Sequence, residues 1–84
     1  MRKYLIIIKI KTTKKEKIIK KQITKKLKNI NNIKYKLKII REEENFYKIK
    51  ISLADLYFTI NLENLIIKAL ESFELIKFKL VKIN

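Results

Sequence analysis

Tyr4, Ile6, Ile8 and Ile10 alternate with Leu5, Ile7, Lys9 and Lys11. A period of two, rich in β-branched residues, predicts a strand over residues 3–11. Thr13-Lys14-Lys15-Glu16 follows, in the pattern of a capping box. There a Thr hydroxyl accepts from the third helical amide while Glu reaches back. A helix is expected from this point to about Asn29, with Ile19, Ile23, Leu27 and Ile30 on its apolar face and Lys17, Lys21, Lys25 and Lys28 striped along another. Asn29, Asn31 and Asn32 end it, since Asn tolerates left-handed turn positions.

Alternation then resumes. Tyr35, Leu37 and Ile39 interleave with Lys34, Lys36 and Lys38 as a second strand, and Arg41-Glu42-Glu43-Glu44-Asn45 forms a polar turn. Tyr47, Ile49, Ile51 and Leu53 interleave with Phe46, Lys48, Lys50 and Ser52 as a third strand, paired with the second as a hairpin. Residues 54–60 fit either an early helix start capped by Asp55 or an extension of the strand through Leu56–Ile60. From Asn61 the pattern is helical: Leu62, Leu65, Ile66, Ala69, Leu70 and Phe73 share one face. Ile76, Phe78 and Leu80, alternating with Lys77, Lys79 and Val81, predict a fourth strand. This order implies one α+β domain over residues 1–84 with a ferredoxin-like βαββαβ fold: a four-stranded antiparallel sheet with both helices on one face.

Charge narrows the function. The 84 residues hold 22 Lys and Arg against 8 Asp and Glu, a formal net charge of +14. A compact domain so charged repels itself unless polyanions surround it. The basic residues crowd into the first half. Residues 1–41 hold 16 of them with one acid (Glu16), while residues 42–84 hold the other 6 with 7 acids. That split predicts a one-sided footprint for a phosphate-rich partner. Lys and Ile dominate, Asn recurs, and Gly and Pro are absent, which suggests an A+T-biased genome. Such a genome belongs to a mitochondrion or another organelle, or to a reduced-genome organism whose cytoplasm would hold the protein. Codon bias therefore supplies part of the Lys content, but it does not explain the asymmetry.

The chemistry of the chain is as limited as its composition. Without Cys or His there is no thiol, no zinc-thiolate set and no imidazole base. Glu42, Glu43 and Glu44 fall in a predicted turn, where a solvated surface is expected rather than a catalytic or metal site. The absence of Gly removes phosphate-cradling loops. No catalytic residue, cofactor, metal or small-molecule substrate is expected. The longest apolar run in the N-terminal strand, Leu5 to Ile8, is far short of the roughly 20 residues a membrane span needs, and no signal-peptide pattern is present. A membrane-surface role for the basic helix is disfavoured because Ile19, Ile23 and Leu27 are needed for the core.

RNA is the expected partner. On the open sheet face only Phe46 is aromatic, which disfavours stacking of single-stranded bases. Lysines meeting the phosphates of a folded RNA fit better. The candidate contacts are Lys14, Lys17, Lys21, Lys25 and Lys28 on and before the first helix, whose only acid is Glu16. Leu5 and Ile7, on the open face, are either ordinary exposed apolar residues or a protein interface.

The element order, joined to three stretches of sequence, resembles the bacterial-type small-subunit ribosomal protein S-six family. The stretches are Met1-Arg2-Lys3-Tyr4 leading into the first strand, Ile40-Arg41 with Asn45-Phe46-Tyr47 in the hairpin, and Leu75-Ile76-Lys77-Phe78-Lys79-Leu80-Val81-Lys82 at the end. The family's apolar, proline-bearing segment before the hairpin is missing, and Asn45 replaces a turn Gly. The resemblance implies a ribosomal platform protein that contacts ribosomal RNA and neighbours an S-eighteen type protein, with Arg2, Lys3 and Lys77 facing RNA. Residues 34–83 are also similar to a eukaryotic large-subunit ribosomal protein of the thirty-eight type. A fainter similarity is to the small dimerisation subunit of the tRNA threonylcarbamoyl-transfer complex, which implies a dimerising scaffold as the alternative. That family ends on its second helix, so a strand over 75–83 weighs against it.

Overall fold

Alternating apolar residues and Lys give β-strands one face that must leave water and one that must stay in it, and the two central strands satisfy both. The computed structural model describes residues 3–28, 34–54 and 56–83, with the side chains of 56–59 left aside. The elements are β1 (Lys3–Lys11), α1 (Glu16–Leu27), β2 (Tyr35–Glu43), β3 (Phe46–Leu53), α2 (Leu56–Ala69) and β4 (Glu74–Ile83). The strands form one antiparallel sheet in the order β2-β3-β1-β4, and with the two helices this is the ferredoxin-like α+β arrangement.

Tyr4, Ile6, Ile8 and Ile10 of β1 and Tyr47, Ile49, Ile51 and Leu53 of β3 are all buried. All of them but Tyr4 form one cluster with Ile19, Ile23 and Leu27 of α1, Leu62 and Ile66 of α2, and Leu70 and Phe73 just beyond it. Both helices therefore cover the same sheet face. Ile6, Ile8, Ile49, Ile51, Ile19, Ile23, Leu62 and Ile66 lose all contact with water. Each such side chain contributes on the order of 1.5–3 kcal/mol of transfer free energy. The outer strands are shallower: Tyr35, Leu37, Ile39 and Phe78 are half-buried against this core.

Local details depart from expectation in two places and are sharpened in two others. Helix α1 starts at Glu16 behind Lys15, with no side-chain cap, so Thr13 is not its cap. Thr12 is used instead: its hydroxyl accepts from the Lys14 N–H at 3.1 Å, and its own N–H donates to the Asn45 carbonyl at 2.8 Å. That pair ties the end of β1 to the hairpin and delays the helix. The helix ends at Leu27, and Asn29, Ile30, Asn31 and Asn32 lie outside the described residues. The hairpin turn is Glu44-Asn45 alone, because β2 continues to Glu43 through a bulge between Arg41 and Glu43. Asn45 sits at φ 66°, the left-handed region that Asn tolerates. Finally, of the two readings open for residues 54–60 the helix holds from Leu56, and its candidate cap Asp55 lies outside the described residues. Leu53 is the last residue of β3 with partners, Tyr4 on one side and Tyr35 on the other.

Candidate nucleic-acid interface

Two basic surfaces emerge, one on α1 and one on the open face of the sheet. Lys17, Lys21, Lys25 and Lys28 are exposed, as the stripe requires, and Lys20 and Thr24 join them. Together these six residues line a depression of about 480 Å³ that no acidic side chain enters. The residues from Lys17 to Lys28 span about 16 Å at 1.5 Å rise per residue. The buried Ile19, Ile23 and Leu27 turn toward the core, which fixes this face toward solvent.

The open sheet face is set by register. Across β4, β1, β3 and β2, one row reads Lys77, Lys9, Lys48, Ile40 and the next Lys79, Ile7, Lys50, Lys38. The row after that reads Val81, Leu5, Ser52, Lys36. Lys9 is thus directly opposite a lysine on each side, and Lys38 is opposite Lys50. Like charges placed directly opposite destabilise a sheet. Among the described residues one ion pair relieves this face, Lys9 Nζ to Glu42 Oε1 at 3.7 Å, and both side chains are well exposed. Such solvated pairs contribute little. At one end of the face Lys3, Lys34 and Lys36 gather around Ser52 in a concavity of about 230 Å³.

Base stacking gains no surface here. Phe46 is the aromatic residue of this face, and the Lys11 ammonium lies 5.7 Å from its ring centre, where cation–π attraction holds it. Lys14 is similarly engaged, 5.4 Å from the ring centre of Phe73.

The sequence-derived candidates therefore separate. Lys17, Lys21, Lys25 and Lys28 share the α1 depression, whereas Lys3 and Lys77 lie on the sheet face and Arg2 lies outside the described residues. Leu5 and Ile7 are half-buried between the lysine rows. The large apolar side chains that stand in water are elsewhere: Leu75, Ile76 (50 % exposed), Leu80 and Ile83 on β4, Ile60 and Ile67 on α2, and Ile18 on α1. The alignment of Lys9, Lys48 and Lys77, and of Lys38, Lys50 and Lys79, into rows escapes a linear reading. Four lysines of the sheet face, Lys48, Lys50, Lys77 and Lys79, come from the half of the chain with no basic excess. The split of charge along the chain is therefore not a split in space.

The Glu42–Glu44 cluster is exposed, and no group of three acidic side chains suited to a metal occurs among the described residues. No helix among them is long and apolar enough to cross a membrane.

No family model matches the chain, and no curated protein matches it. Solved structures do. A de novo designed protein named Foldit4 superposes with a TM-score of 0.61 at 14% identity, covering 98% of this chain and 97% of the other. The de novo designed protein Ferredog-Diesel gives 0.63 at 9% identity, covering 94% and 83%. These likenesses define the chain's class, the ferredoxin-like α+β fold. Function has to be argued from its surface.

Proposed function

We propose that this protein binds the phosphate backbone of folded RNA and serves as a structural constituent of the ribosome. The observation that carries this reading is the set of lysine rows on the open sheet, lysine opposite lysine across neighbouring strands. An arrangement that costs stability in the free protein is repaid when phosphates enter between the charges. Lysine reads charge and position rather than base identity, and the occupied ring of Phe46 leaves no stacking platform. The resemblance to the S-six type supplies the ribosomal context: a small-subunit platform position, ribosomal RNA as ligand and a neighbouring S-eighteen type protein. The scaffold alternative loses support from β4, a strand paired with β1 along its length.

Two measurements test the reading. Binding to ribosomal RNA fragments should weaken steeply with salt, with a log–log slope near 0.9 per phosphate neutralised. Replacing Lys17, Lys21 and Lys25 by Gln, which changes helix propensity little, should lower that slope by about two to three. Co-sedimentation should place the protein with the small ribosomal subunit. A salt-independent affinity, or absence from every ribosomal fraction, would refute the assignment.

A further inference from the structure

We infer that the protein engages two RNA segments at once, one on each side of the domain, and so acts as a pin between them. The inference rests on the RNA-binding reading and adds its geometry. The α1 depression and the open sheet face look in opposite directions, because α1 packs its Ile19 and Ile23 onto the sheet side that bears Ile6, Ile8, Ile49 and Ile51. Between the two basic surfaces lies a layer with no water contact at all. A helix with its side chains is about 10–12 Å across, which alone exceeds the screening length of about 8 Å at physiological salt. The two surfaces therefore attract phosphates independently.

One duplex cannot satisfy both. Nucleic-acid duplexes are stiff over roughly 150 base pairs, while the shortest extent of this domain is 17 Å. A duplex lying along α1 leaves Lys9, Lys48 and Lys77 without phosphates, and one lying on the sheet leaves Lys17, Lys21 and Lys25 without them. Both surfaces carry a net excess of positive charge. The α1 depression has five lysines and no acid in its lining, and the central sheet row has three adjacent lysines with one weak ion pair.

The test uses two short RNA duplexes of arbitrary sequence, one carrying a fluorescent donor and the other an acceptor. The full chain should bring them together and give energy transfer. Analytical ultracentrifugation should find one protein with two duplexes at saturation. A sheet variant (Lys9→Gln, Lys48→Gln, Lys77→Gln) and a helix variant (Lys17→Gln, Lys21→Gln, Lys25→Gln) should each bind a single duplex and lose the transfer. Circular dichroism on both variants confirms the fold, and because no changed side chain belongs to the buried core, both should pass. Saturation of the wild type at one duplex per protein would overturn the inference, as would energy transfer surviving in either variant. In those cases RNA binding itself still stands. Failure of the wild type to bind any duplex would remove the RNA reading as well.

Discussion

The central row of the open sheet makes an unusual demand on a protein, that removing charge should strengthen it. Lys9 faces Lys77 on β4 and Lys48 on β3. Changing Lys48 and Lys77 to Gln deletes both repulsive pairs and keeps the Lys9–Glu42 contact at 3.7 Å. Cross-strand pairs are worth roughly 0.2–1 kcal/mol each. Lys77 is exposed and Lys48 half-buried, so solvent screening keeps each repulsion toward the lower half of that range. The double variant should gain about 0.4–1 kcal/mol. For a domain of this size 1 kcal/mol moves the melting temperature by about 4–8 °C, so a rise of about 2–8 °C is expected in low-salt buffer. Calorimetry at two ionic strengths isolates the cause. The screening length falls from about 30 Å at 0.01 M to about 3 Å at 1 M, so the gain should shrink severalfold in high salt. An unchanged or lower melting temperature at low salt would show that the lysine tails diverge enough to ignore one another. The case for phosphates between them would then lose its energetic basis.

Other substitutions probe the frame. Ile8, at the centre of β1 and fully buried, should cost about 2–5 kcal/mol when cut to Ala, measured by urea denaturation. Asn45 at φ 66° should tolerate Gly, whereas Asn45→Val should lose about 1–2 kcal/mol because a β-branched residue resists the left-handed region, read by the same assay. Replacing Glu42, Glu43 and Glu44 together by Ala should change stability by within about half a kcal/mol per site. RNA affinity in that variant should rise at low salt, because three negative charges leave one end of the sheet face, and fluorescence anisotropy would show it.

The fold was legible because β1 and β3 alternate so regularly that inside and outside can be read residue by residue. Ile6 to Ile10 and Tyr47 to Leu53 lie where the period of two puts them. The α1 lysine stripe was legible for the same reason, since a helix repeat places neighbours by arithmetic. The sheet rows were not. Lys9, Lys48 and Lys77 are far apart in the chain, and only the register of β3 and β4 on β1 aligns them. A strand's outward residues can be listed from sequence, but their partners across the ladder cannot. The capping box failed on a tertiary cause, the Thr12–Asn45 hydrogen bond across the sheet end. The stretch after Leu53 fits helix and strand equally by local pattern, and the structure makes it helix from Leu56.

Strand β4 closes one side of the sheet, and among the described residues no further strand pairs with its outer edge. Such an edge is a template for runaway stacking of chains into fibres, and Pro is a common guard against it. This chain has no Pro. It relies on two other devices: Lys77, Lys79 and Lys82 along the strand, and a bulge where the register shifts opposite Lys9 and Ile10. A bulge twists and breaks the flat edge a stacking chain would need. Ile76, half exposed beside that irregularity, is where the guard is thinnest. Protection at this edge is thus left to lysine and a kink, so the same charge that the proposed role would turn toward phosphate also keeps copies of the chain apart.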